Sequence, residues 1–100
     1  MAVTVATMLR VRPGKQTELF ETLKTVKKAV ERAGGTYAVR REVAGPQPNN
    51  IVTVAQYPDW GHLGKVRSDP ELQKLMDRLR SSSDPAAEAL TTTIFEDVAI

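Results

Sequence analysis

Cysteine is absent from the 100-residue chain, which excludes disulfides, thiolate metal sites and a cysteine nucleophile together. Histidine occurs once, so no pair of imidazoles can hold a metal ion, and no metal site is expected. Charge of one sign is scarce as well: 14 basic against 12 acidic groups leave a formal +2. The basic pairs Lys27-Lys28 and Arg40-Arg41 are diluted by Glu31 and Glu42, and no basic stripe with interleaved aromatics accompanies them, so no nucleic-acid partner is expected. No apolar run approaches the roughly 20 residues of a membrane span, and the first residues alternate Val and Thr instead of forming a leader, so the expected location is cytoplasmic with no membrane partner. The serines Ser81 to Ser83 lack a Gly-x-Ser-x-Gly elbow, and Gly34-Gly35 lacks the spacing of a phosphate-binding loop; no cofactor is expected.

Hydrophobic residues at 41% and charged residues at 26% place the chain with ordinary globular proteins, and its length predicts a single domain over residues 1–100. Val3, Val5, Thr7, Leu9 and Val11 alternate with Thr4, Ala6, Met8 and Arg10, the period of a strand that Pro13-Gly14 ends. From Lys15 the spacing changes: Leu19, Leu23, Val26, Val30 and Ala33 recur at three- and four-residue steps, an amphipathic helix stopped by Gly34-Gly35. Thr36 to Ala44 reads as a second strand, residues 45–50 as a turn, and Ile51 to Tyr57 as a third strand, apolar on both faces. Asp59 can cap a helical segment from Trp60, weakened by Gly61 and Gly64, and Asp69-Pro70 opens a firmer helix carrying Leu72, Leu75, Met76 and Leu79. Asp84-Pro85 predicts a short Ala-rich helical turn through Leu90, and Thr91 to Ile100 a fourth strand.

This order predicts an α+β, ferredoxin-like βαββαβ sandwich, a four-stranded antiparallel sheet with two main helices on one face. Strands one and three, apolar on both sides, belong in the centre; strands two and four carry Arg40, Arg41, Glu42, Glu96 and Asp97 and belong at the edges. Two helices cover one face only. The other presents Ala6, Met8, Ala38, Phe95 and one set from strand three, and a second copy packed sheet to sheet is the simplest cover, so a homodimer is expected.

The strand ending in Arg12-Pro13-Gly14, Gly35-Thr36-Tyr37 opening strand two, and Tyr57-Pro58-Asp59-Trp60 followed by Ser68-Asp69-Pro70-Glu71-Leu72 resemble the dimeric α/β barrel superfamily. The pattern is nearest to its antibiotic-biosynthesis-monooxygenase-like and NIPSNAP-like branches. The resemblance implies a homodimer with a ligand cleft between helices and sheet, and chemistry such as cofactor-independent oxygenation of aromatic or quinol-like compounds, isomerisation, or haem degradation. The haem-degrading branch uses an axial His on the second helix, where Leu72 to Leu79 has none and Leu75 stands at the matching position. A strand-one Asn of that branch and of some oxygenases corresponds to Thr7, while Trp60 is retained.

A cleft lined from Thr7, Leu9, Phe20, Tyr37, Arg41, Tyr57 and Trp60 is therefore expected to bind a small, partly aromatic molecule, with Trp60, Thr7, Arg41 and His62 as the candidate catalytic groups. Each has a structural alternative. Trp60 could wall the cleft or anchor the second helix. His62, the side chain whose ordinary pKa suits acid–base work near neutrality, lies about 200° around a helix from Trp60, so a solvent or dimer-rim position competes with catalysis. Tyr37 and Arg41 share strand parity about 13 Å apart and could hold two ends of a ligand, or Arg41 could be an edge-strand charge. The non-enzymatic alternative is a homodimeric binding or assembly module whose cleft is filled by its own side chains.

Overall fold

Period-two alternation puts Val3, Val5, Thr7, Leu9 and Val11 beneath the helices, and the rest of the fold is laid around that strand. The computed structural model describes residues 2–46 and 48–100; Gln47, within the expected turn, lies outside them. The elements run β1 (Val3–Val11), α1 (Gln16–Arg32), β2 (Thr36–Arg41), β3 (Ile51–Tyr57), α2 (Trp60–Arg67), α3 (Pro70–Ser81) and β4 (Ala87–Glu96). The strands form one antiparallel sheet in the order β2-β3-β1-β4. This is the expected ferredoxin-like arrangement, with the two doubly apolar strands central and the charged ones at the edges.

Local chemistry sets the helix ends. Gly34, at φ 86°, closes α1 with a Schellman pair, its own N–H donating to Glu31 and that of Gly35 to Val30 at 2.9 Å. Gly35 then passes so close to β3 that no side chain fits there: an added Cβ would lie 2.7 Å from Tyr57 Cδ1 and 2.8 Å from the Gln56 carbonyl oxygen. Asp69 caps α3 by accepting from Glu71 and Leu72, and its two oxygens also take a fork from Arg32 at 3.0 Å each, tying the end of α1 to the start of α3. Asp59 caps α2 as expected, accepting from the His62 N–H at 3.0 Å.

Three expectations need correction. β2 stops at Arg41 instead of continuing to Ala44, because the chain turns back there: the Glu42 N–H donates to Asn50 and its carbonyl accepts from Asn49, closing the hairpin. The Ala-rich stretch after Asp84-Pro85 is not a helical turn. Ala87 pairs with Val11 and packs with Leu9, Leu19 and Ile51, so β4 starts there; alanine's helix preference yields to a sheet partner and a buried contact. At its other end β4 closes at Glu96 instead of Ile100, because its partner strand begins at Val3; the Asp97 N–H makes the last bond, to Ala2.

Register aligns the helix-facing residues into rows. Val3 and Tyr57, then Val5, Ala55 and Tyr37, belong to a core with Ala29, Val30, Leu63 and Val66 above them. Leu9, Ile51 and Ala87 belong to a second core under Leu19 and Leu23. Between these two cores lies a row of hydroxyls: Thr92 on β4, Thr7 on β1 and Thr53 on β3, directly opposed.

Candidate functional site

Threonine has the shape of valine but carries a hydroxyl, and the row Thr92-Thr7-Thr53 interrupts an otherwise apolar floor with oxygen. Thr7 Oγ1 lies 3.4 Å from Thr92 Oγ1. Thr53 is 6% exposed, and the Tyr37 phenol reaches toward its hydroxyl from the edge strand, where Thr53 lowers the phenol's pKa. Each hydroxyl offers one donor and two acceptor positions, so these contacts leave capacity for a ligand.

Above this row α1 and α3 stand apart, leaving a cleft of about 420 Å³. Thr7, Thr53 and Tyr37 supply its polar floor, Leu23 and Val26 come from α1, and Met76 and Leu79 come from α3. The remaining wall is Pro85, Ala86, Ala87 and Ala89, whose small side chains leave the space open. Among the described residues no charged side chain lines it. Burial pushes the Tyr37 phenol above its ordinary pKa, partly offset by Thr53, so the floor is neutral at physiological pH. The volume falls in the range of small-molecule sites, and the lining has their usual make-up, apolar walls with a few converging polar groups.

Of the residues expected at a cleft, the structure gathers Thr7, Leu9 and Tyr37. Phe20 sits just outside, in a shallow depression with Leu23, Lys24 and Val39. Tyr57 does face the helices, but at 4% exposure it is packed in the core, and burial raises its pKa also. Trp60 neither walls the cleft nor is buried as an anchor: the residue is 50% exposed at the start of α2, and its Nε1 donates to Glu96 at 2.8 Å. His62 is half-buried against Gly34, with Nδ1 2.7 Å from Asp59 Oδ1, away from the cleft; the imidazole is the main cause holding the Asp59 carboxyl below the usual range. Arg41 shares a row with Ile51 and Leu9 but lies in a separate recess beside Arg12.

The sequence reading missed Thr22, Thr53, Met76, Leu79 and the Pro85-Ala86-Ala87 wall. Thr53 had a visible signal, since it stands on the buried parity of one central strand as Thr7 does on the other. Met76 and Leu79 fit a buried stripe by spacing alone, because periodicity cannot distinguish a residue facing a core from one facing a cavity. Among the described residues no group of three His, Cys, Asp or Glu could hold a metal ion, and no helix is long and apolar enough to cross a membrane.

These features define a ferredoxin-like α+β domain with a neutral, hydroxyl-floored cleft between helices and sheet. No protein-family model matches the chain, and no curated protein is similar to it in sequence. Solved structures share its fold over nearly the whole length. SnoaB, a cofactor-independent oxygenase from Streptomyces nogalater, is 16% identical with a TM-score of 0.73, over 99% of this chain and 95% of that one. A proposed antibiotic biosynthesis monooxygenase from Deinococcus radiodurans is 17% identical with a TM-score of 0.75, over 100% and 95%. Another, from Chloroflexus aurantiacus, is 19% identical with a TM-score of 0.70, over 99% and 95%. These are the proteins to which the sequence resemblance points, and at such identities the likeness establishes the fold.

Proposed function

We propose that this protein binds a small, uncharged, partly aromatic organic molecule in the cleft and acts on it as a cofactor-independent monooxygenase or isomerase. The observation that carries the reading is the lining: hydroxyls from Thr7, Thr53 and Tyr37 on a floor with apolar walls and no charge. Such a site rewards phenol, ketone or quinol oxygens and excludes a carboxylate, which would be desolvated without a partner. Likeness in fold to SnoaB supports oxygenation. In that chemistry an electron-rich substrate supplies the electrons to dioxygen, and the protein contributes orientation and exclusion of water.

The working unit is a homodimer closed through the uncovered face of the sheet. Ala6, Met8, Ala38, Val52 and Val54 form a contiguous apolar surface there, flanked by Phe95 at 54% exposure. Light scattering at micromolar concentration is expected to give twice the monomer mass, and Met8→Glu to halve it; a wild-type monomer removes this part of the reading.

One observation favours the alternative, a binding module without catalysis: no His, Asp, Glu or Lys lines the cleft to move a proton. A panel of naphthols, naphthoquinones and quinols separates the two, with binding followed by calorimetry and turnover by oxygen consumption. Binding that weakens about five- to tenfold in Thr7→Val and Tyr37→Phe, the loss expected for one neutral hydrogen bond, supports the cleft. Oxygen uptake lost with it supports the oxygenase; binding without turnover selects the module. If no compound binds below millimolar concentration, or the two variants bind as the wild type does, the cleft is not the site.

A further inference from the structure

Arg41 and Arg12 come from segments far apart in the chain, yet the ends of β1 and β2 both abut the start of β3, and this topology brings both arginines to the lining of one recess. The recess measures about 440 Å³ and lies between the β1–α1 turn and the β2–β3 hairpin. Its floor is Val11 and Ile51, and its polar side chains are Arg12, Gln16, Arg41 and Asn49. All four side chains carry N–H donors, and among the described residues no acidic side chain lines the recess.

The nearby carboxylates are otherwise engaged. Asp84 lies 2.9 Å from Lys15 Nζ and only 3.8 Å from Arg12 Nη1. Glu18 pairs with Lys15 at 3.2 Å, and the Glu42 carboxylate rests against Gly45. Among the described residues Arg41 makes no ion pair and no side-chain hydrogen bond. Arg41 therefore lines the recess without an acid, and Arg12 with only its 3.8 Å contact to Asp84, so the recess carries positive charge that an anion would offset.

The geometry points to a phosphoryl-binding site in this recess, separate from the neutral cleft. A guanidinium presents its donors as a planar fork that satisfies two oxygens at once. A carboxylate presents its two oxygens in a single plane, which suits one such fork lying in that plane. Two arginines approaching from different elements are matched by a group with three or more acceptor oxygens, and the amides of Gln16 and Asn49 bond those that remain. Inorganic phosphate and a phosphate monoester share this chemistry.

The test is a titration of the isotopically labelled protein with inorganic phosphate, followed through the Arg41 Nε–H, the Gly14 amide and the Gln16 and Asn49 side-chain amides. Acetate and chloride at matched ionic strength serve as comparisons. Saturable shifts at these groups with phosphate, and at least fivefold weaker binding of acetate, are expected. Arg41→Ala should weaken phosphate about tenfold, and Arg41→Lys by an intermediate factor, because it keeps the charge but loses the fork. Arg40→Ala removes the same charge from the adjacent residue, on the opposite face of β2, and should leave the affinity unchanged. Shifts that rise linearly without saturation, that chloride reproduces, or that Arg40→Ala diminishes as much as Arg41→Ala would show general screening and overturn the site. Acetate binding as tightly as phosphate would overturn the phosphoryl assignment.

Discussion

Replacing Gly35 by alanine adds one methyl group where the fold has no room for it. The new Cβ would lie 2.7 and 2.8 Å from two atoms of the Tyr57 ring and 2.8 Å from the Gln56 carbonyl oxygen, against the ~3.5–4.0 Å at which carbon atoms rest comfortably. Something has to move by close to an ångström. The Tyr57 ring is packed in the core, and the Gln56 carbonyl is backbone of a central strand paired on both sides. Gly35 itself is tied to Val30 by the bond that closes α1. None of the three can yield alone, so the cost belongs at or above the top of the usual overpacking range, about 3 kcal/mol. For a domain of this size that corresponds to a fall in Tm of about 12–24 °C.

The control is Gly64→Ala. Gly64 lies inside α2 with nothing within 4 Å of an added Cβ, so this substitution should stabilise by about 0.5–1 kcal/mol through helix propensity. Thermal unfolding followed by circular dichroism measures both. Combining Gly35→Ala with Tyr57→Leu removes the ring but not the carbonyl, so the Gly35→Ala penalty should shrink by about 1 kcal/mol or more without vanishing. A Gly35→Ala protein within about 1 kcal/mol of wild type would refute the close approach. It would also undermine the placement of β2, and with it that of Tyr37 in the cleft.

Acid should destabilise the protein through three aspartates whose pKa values are lowered in the fold: Asp69 by Arg32, Asp59 by His62 and Asp84 by Lys15. Their stabilisation is complete above the ordinary aspartate value near 3.9 and is lost as pH falls through the lower folded values, so urea midpoints should hold steady near neutrality and drop below about pH 4. Asp69→Asn should flatten part of that drop. At the alkaline end, burial raises both tyrosines, so they stay protonated in the fold after the unfolded chain has ionised them, and stability should fall as pH rises above about 10; phenolate absorbance rising at the ordinary value without unfolding would contradict this. Thr53→Val and Tyr37→Phe should each cost about 1 kcal/mol and the pair together less than the sum, because each single change strands the other's hydroxyl; additive losses would mean that the two do not share a bond.

The fold was legible because its signals are periodic and redundant. Alternation in Val3–Val11 and the doubly apolar run Ile51–Tyr57 identify the central strands, and Gly34-Gly35 and Asp69-Pro70 mark helix ends through backbone chemistry that owes nothing to distant partners. Where a boundary depended on a partner, local reading failed. Ala86-Ala87 looks helical until Val11 and Ile51 are beside it, and Val98 and Ile100 look like strand until β1 runs out. The site was legible in part for the same reason. Thr7 and Tyr37 sat on faces whose direction alternation fixes, whereas Trp60 and His62 were weighed by residue type, and type does not reveal that an indole will bond Glu96 at the surface.

A cleft of this kind is hard to see in a sequence because its polar groups imitate its walls. Threonine keeps the β-branched shape that suits a strand and the volume of the valine it stands in for. Thr7 between Val5 and Leu9, or Thr53 between Val52 and Val54, therefore leaves the strand pattern intact. Its hydroxyl becomes visible only when register sets the two side by side beneath the cleft that the helices leave open. Charged residues cannot hide in this way, since burying one unpaired would cost more than a small domain can spare. Arg41 accordingly stands at the sheet's edge, in a recess that water reaches. On that division the two proposed sites differ in chemistry: hydroxyls inside for a neutral molecule, guanidinium groups outside for an anion. The same division predicts that Thr53→Val and Arg41→Ala will each weaken one kind of binding, by about five- to tenfold, and spare the other.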